Sequence, residues 1–146
     1  MYRHAPVLLV DDSVEDLELA LVATDAVLPD VEVVGFTRAE DALAWLRGRA
    51  AARLPLPFLT LLDWKMPGMG GRDLLMEMRA ASDLNRTPVV VFTTSREERD
   101  VHLAYSLGAN AFLRKPSGLD ELKVLLERTV RFWRINVTPT RTPAAS

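Results

Sequence analysis

Apolar residues along this chain fall into two kinds of run, and the two kinds alternate. Val7-Leu-Leu-Val10 is continuous and ends abruptly in Asp11-Asp12. An unbroken run of that length suits a strand buried on both faces. From Ser13 to Ala26 the spacing lengthens, with Leu17, Leu21 and Val22 at helical intervals. Glu32-Val-Val-Gly-Phe36 predicts a second strand after a Pro29-Asp30 turn. Arg38 to Arg47 carries Ala39, Ala42, Leu43 and Leu46 on one stripe, which predicts a helix stopped near Gly48. Pro55 and Pro57 punctuate the next connection, and Phe58-Leu-Thr-Leu-Leu62 is a third strand ending in Asp63. Beyond Pro67-Gly-Met-Gly-Gly71 the helical spacing returns through Leu74, Leu75 and Met78. Val89-Val-Val-Phe92 predicts a fourth strand ending in Thr93-Thr-Ser95, followed by a helix from Glu97 to Leu107 capped by Gly108. Ala111-Phe-Leu113 is a short fifth strand ending in Arg114-Lys115-Pro116, and Leu119 to Trp133 is the last helix.

Five strands alternating with five helices predict an α/β fold built on one parallel sheet. The right-handed crossover rule leaves few topologies, and the flavodoxin-like order 2-1-3-4-5 is the natural choice. One domain over residues 1–135 accounts for all ten elements. Residues 136–146 are rich in Thr, Pro and Ala, which predicts a disordered tail.

Composition narrows the functional classes. The chain has 146 residues, 49% hydrophobic and 26% charged, enough for a buried core in a soluble protein. A net charge of -2 argues against a nucleic-acid face, and no sequence after Trp133 is long enough for a DNA-binding module. The absence of cysteine removes thiolate metal sites and thiol catalysis. No apolar run is long enough to cross a bilayer and no signal core follows the N-terminus, so the expected location is the cytoplasm.

The chemistry gathers at the strand ends. In open parallel sheets, ligands bind outside the carboxyl ends of the strands. Those ends carry Asp11 and Asp12, Asp63, Thr93 and Lys115. In the proposed order the four strands concerned are neighbours, so three carboxylates, a hydroxyl and an ammonium converge. Carboxylates packed this closely either raise one carboxyl's pKa or require a cation, and an oxygen-only set with room for waters suits magnesium. A carboxylate can attack phosphorus to give an aspartyl phosphate, whose transition state needs positive or hydrogen-bonding partners. Magnesium, Lys115 and Thr93 would supply them.

Asp11-Asp12, the segment Asp63-Trp-Lys-Met-Pro-Gly68, Thr93 and Lys115-Pro116 together resemble the signature of bacterial response-regulator receiver domains, over roughly residues 5–130. The resemblance implies that Asp63 accepts a phosphoryl group from a histidine kinase. It further implies that Asp11, Asp12, Asp63 and the Lys65 carbonyl hold magnesium, and that Thr93 and Lys115 contact the phosphoryl group. Phe112, three residues before Lys115, takes the place of the switch aromatic, and a cis Lys115–Pro116 bond would aim the lysine inward. Thr93-Thr-Ser95, Tyr105-Ser-Leu-Gly-Ala-Asn110 and Phe132-Trp133 are similar to single-domain regulators that partner bacterial phytochrome kinases. Lys65 departs from the family's frequent small polar residue, which places an ammonium near the acceptor.

Several of these residues have plainer readings when taken singly. Asp12 or Ser13 could cap the first helix, with Glu15 or Asp16 in its first turn. The glycine-rich segment before Gly71 fits neither phosphate-loop spacing and reads as a flexible turn. Phe112 could be core, and His4 and His102 read as surface residues. The last helix carries more apolar residues than one core stripe needs, which predicts a homodimer through the fourth and fifth helices with Phe132 and Trp133. Two rival functions stand beside phosphoacceptance: an unphosphorylated scaffold and a magnesium-dependent phosphohydrolase.

Overall fold

The computed structural model describes residues 5–139. Its elements run β1 (Val7–Val10), α1 (Val14–Val27), β2 (Val33–Phe36), α2 (Ala39–Ala51), β3 (Leu59–Leu62), α3 (Gly71–Ala80), β4 (Val89–Thr93), α4 (Glu98–Ser106), β5 (Ala111–Arg114) and α5 (Leu119–Ile135). The strands form one sheet in the order β2-β1-β3-β4-β5, and every neighbouring pair is parallel. Element order and topology are those the hydrophobic pattern predicts.

Alternation along the central strands divides the core in two. Leu8, Val10, Leu62, Val89 and Val91 face α2, α3 and α4, where Leu46, Leu74, Leu75 and Met78 meet them. Val7, Leu9, Leu61, Val90 and Phe92 face α1 and α5, against Leu17, Leu122, Leu126 and Val130. Strands apolar on both faces can exist only between two helical layers. The short connections at the carboxyl ends of β1, β3, β4 and β5 are therefore all on one rim.

Two details differ from the sequence expectation. α2 passes through Gly48 and ends only after Ala51. A glycine inside a helix costs about 0.5–1 kcal/mol relative to alanine, and the alanines that follow carry the helix on. The chain turns instead at Arg53, which holds φ at 56°. No cis peptide bond occurs among the described residues, so Lys115–Pro116 is trans. Of the predicted tail, residues 140–146 lie outside the described residues, and Asn136, Thr138 and Pro139 line a cavity of about 480 Å³ with Trp133. No helix among the described residues is long and apolar enough to cross a membrane.

Candidate functional site

Backbone hydrogen bonds carry the sheet one step past the strands and so fix the side chains at the rim. Asp11 N donates to Phe36 O at 3.1 Å, Asp63 N to Val10 O at 2.9 Å, and Lys115 N to Thr93 O at 2.9 Å. Asp11 and Asp63 are thereby set beside each other, with Asp12 following on the loop into α1. One oxygen from each of the three carboxylates lies within 4.8 Å of the others. Asp11, Asp63 and Thr93 are buried, and Asp12 is exposed.

Lys115 closes the cluster from β5. Its ammonium hydrogen-bonds Asp11 Oδ2, reaches Asp16 Oδ2 at 3.1 Å and stands 3.6 Å from Asp63 Oδ2. The side chain is 10% exposed and enters the pocket from a trans backbone, without the cis bond that the resemblance implied. Burial opposes its charge, but the Asp11 hydrogen bond and the Asp63 and Asp11 charges outweigh it and hold the ammonium above the ordinary lysine range. Burial pushes the Asp63 carboxyl up, Asp11 and Asp12 add to that push, and the Lys115 charge and Thr93 hydroxyl oppose it. The net effect is an Asp63 carboxyl raised above the usual range.

Three carboxylates and a single ammonium leave the pocket short of positive charge. Its donors are oxygen only, which fits a hard divalent cation and not a soft metal. Asp11, Asp12 and Asp63 are the side chains able to hold such an ion.

The side chains of two further predicted residues lie outside the carboxylate cluster. The Lys65 ammonium does not turn to Asp63; it pairs with Glu97 at 2.7 Å and Asp100 at 3.5 Å, at the start of α4. Phe112 packs with the core on the α2–α3–α4 side and has the Arg114 guanidinium 5.9 Å from its ring. His102 is exposed beside Glu98, and His4 lies outside the described residues. Sequence reasoning missed two polar partners. Asp16 reads as a helix-cap residue but shares Lys115. Asp100, buried in the first turn of α4, accepts from Ser95 Oγ at 2.5 Å, and Ser95 N donates to Thr93 Oγ1 at 3.3 Å. A run of hydrogen bonds thus leads from the pocket hydroxyl to α4. A buried aspartate in a helix's first turn is visible in sequence only as an ordinary dipole-favouring acid.

Residues 7–127 match the family model described as the response regulator receiver domain. The chain is 35% identical over 133 residues to response regulator Rcp1 of Synechocystis, covering 90% of each. Among solved structures, the phosphorylated cyanobacterial phytochrome response regulator RcpA is 31% identical with a TM-score of 0.83, over 94% of this chain and 99% of RcpA. The Mn(2+)-bound form of Rcp1 is 33% identical with a TM-score of 0.79, over 93% of this chain and 99% of that one. A parallel sheet in this order, with an acid-lined rim at its carboxyl edge and matched over nearly its whole length, makes the chain a member of the response regulator receiver domain family.

Proposed function

We propose that this receiver domain accepts a phosphoryl group on Asp63 from a histidine kinase, with magnesium held by Asp11, Asp12, Asp63 and the Lys65 carbonyl. The observation that carries the reading is the placement of a buried carboxylate between two further carboxylates and the Lys115 ammonium. An Asp63 oxygen attacks phosphorus as the bond to the kinase imidazole breaks and its electron pair returns to the ring nitrogen. Lys115 and the Thr93 hydroxyl meet the negative charge that spreads over the equatorial oxygens. When bound, the cation neutralises the carboxylates and gives those oxygens a Lewis-acid partner. The movement of Thr93 toward the phosphoryl group would reach α4 through Ser95 and Asp100, with Phe112 on the same side of the sheet as the switching aromatic.

The kinase is of the phytochrome type, on the strength of the RcpA likeness, and the protein works in the cytoplasm. Phosphorylation changes a homodimer through α4 and α5, where Phe132 is 55% exposed and stacks edge-on against the half-buried Trp133. A complete pocket argues against a mere scaffold. Lys65, tied to Glu97, occupies the position where a phosphohydrolase would carry its second acid.

The test is phosphate-affinity electrophoresis after incubation with a small phosphodonor such as phosphoramidate. A shifted band is expected for wild type with magnesium and is lost in Asp63→Asn or without the metal. A shift that persists in Asp63→Asn would move the acceptor elsewhere and end this reading.

A further inference from the structure

Asp16 occupies the third position of α1, where an acidic side chain ordinarily turns back to the N–H of the capping residue. Here that N–H is already taken, because Ser13 N donates to Asp11 Oδ1 at 2.9 Å. Ser13 Oγ in turn accepts from Asp16 N at 3.2 Å, which pins the first turn of the helix. The Asp16 carboxylate is left free of capping and is spent on a residue 99 positions away, 3.1 Å from the Lys115 ammonium.

Lys115 therefore has three carboxylate neighbours of two kinds. Asp11 and Asp63 belong to the trio whose oxygens converge, and Asp16 does not. Any hold the ammonium keeps on Asp11 or Asp63 competes directly with a cation for the same carboxylates. A hold on Asp16 does not, because that carboxylate reaches the lysine from α1, outside the convergent set. We infer that Asp16 is a positioning residue that draws the Lys115 ammonium away from the metal-holding carboxylates and so sets the cation affinity of the pocket. The inference rests on the acceptor reading above and adds to it a fourth carboxylate with a separate task.

The experiment is calorimetric titration of the full chain with magnesium chloride and no phosphodonor. Asp16→Asn weakens magnesium binding about threefold or more, within the range of couplings between contacting charged groups. Glu15→Gln, which removes an exposed carboxylate from the same helical turn, gives less than half that change. In a Lys115→Met background Asp16→Asn has no larger effect than Glu15→Gln, because no ammonium remains to be positioned. Equal weakening by Asp16→Asn and Glu15→Gln, or an undiminished Asp16→Asn effect without Lys115, overturns the inference and reduces Asp16 to one charge among several. The comparison with Glu15→Gln decides the matter even if Lys115→Met does not fold. A wild type that binds no magnesium, or binds it as well after Asp63→Asn, overturns the acceptor reading instead, a result readily told apart from the others.

Discussion

Burial raises the Asp63 carboxyl, and that shift has a sign for stability as well as for chemistry. A carboxyl whose folded value lies above its unfolded value penalises the fold once ionised, so the penalty is present at neutral pH. It vanishes as pH falls through the folded value toward the unfolded one. Metal-free Asp63→Asn is therefore expected to melt about 3 °C above wild type at pH 7, with the difference shrinking on acidification. Magnesium at a hundredfold excess over its Kd should stabilise wild type by about 2.7 kcal/mol and the variant far less; equal gains by thermal melting would remove Asp63 from the metal site. Lys65 offers a second prediction. Its pairing with Glu97 and Asp100 ties the loop after the acceptor to α4, so Lys65→Asn should shorten the phosphoryl lifetime a few-fold, in keeping with a half-exposed ion pair. Identical decay curves would show the tie to be irrelevant. Asp11, Asp12, Asp63 and Thr93 are legible in the sequence because they stand where buried apolar runs end at a known edge of a parallel sheet, and Lys115 because it follows the short, half-buried β5 at the same edge. Asp16, Asp100 and the direction of Lys65 are not, because side-chain pairing across distant helices leaves no trace in spacing.

At the scale of elements, the start of α3 shows what a glycine-rich turn conceals. Gly71 N donates to Trp64 O at 3.3 Å, and a Cβ at Gly71 would lie 2.2 Å from the Asp63 carbonyl oxygen. The helix thus presses against the backbone of Asp63 itself, and only a hydrogen fits between them. Gly71→Ala should cost about 1–3 kcal/mol in chemical denaturation through overpacking. Gly70→Ala, whose nearest contact would be 3.5 Å away, should cost much less. If the two variants unfold at the same denaturant concentration, the close approach is not what selects glycine. The sequence marks this segment as a turn, but which glycine is indispensable depends on a contact between a helix and a strand end. The misread end of α2 has the same origin: Gly48 looks like a stop, yet no atom would crowd a Cβ there and the helix continues.

At the scale of the whole molecule, an exposed apolar face on α4 and α5 bears on the proposed assembly. Along the outer side of α5, Val124, Phe132 and Ile135 are exposed, and Tyr105 is exposed on α4. If this face joins two copies, Phe132→Ala, which removes little from the core, should halve the mass seen by light scattering at tens of micromolar, and Trp133→Ala should do the same. A wild type that scatters as a monomer there ends the dimer proposal. The two core layers can be read from hydrophobic period, because a strand apolar on both faces needs a helical layer on each side, and the sheet order needs the crossover rule besides. What the period does not reveal is how the far rim is held. There Arg79, at the end of α3, donates to the carbonyls of Gly108, Asn85 and Thr87 and to Asn110 Oδ1, which also accepts from Val89 N. This knot sits where β4 and β5 begin, and the acidic pocket sits where they end. The Arg79 hydrogen bonds and the acidic pocket thus hold opposite ends of the same two strands. Changes to Arg79 or Asn110 should therefore loosen the start of β4 and β5 while leaving the carboxylates at the other end in place.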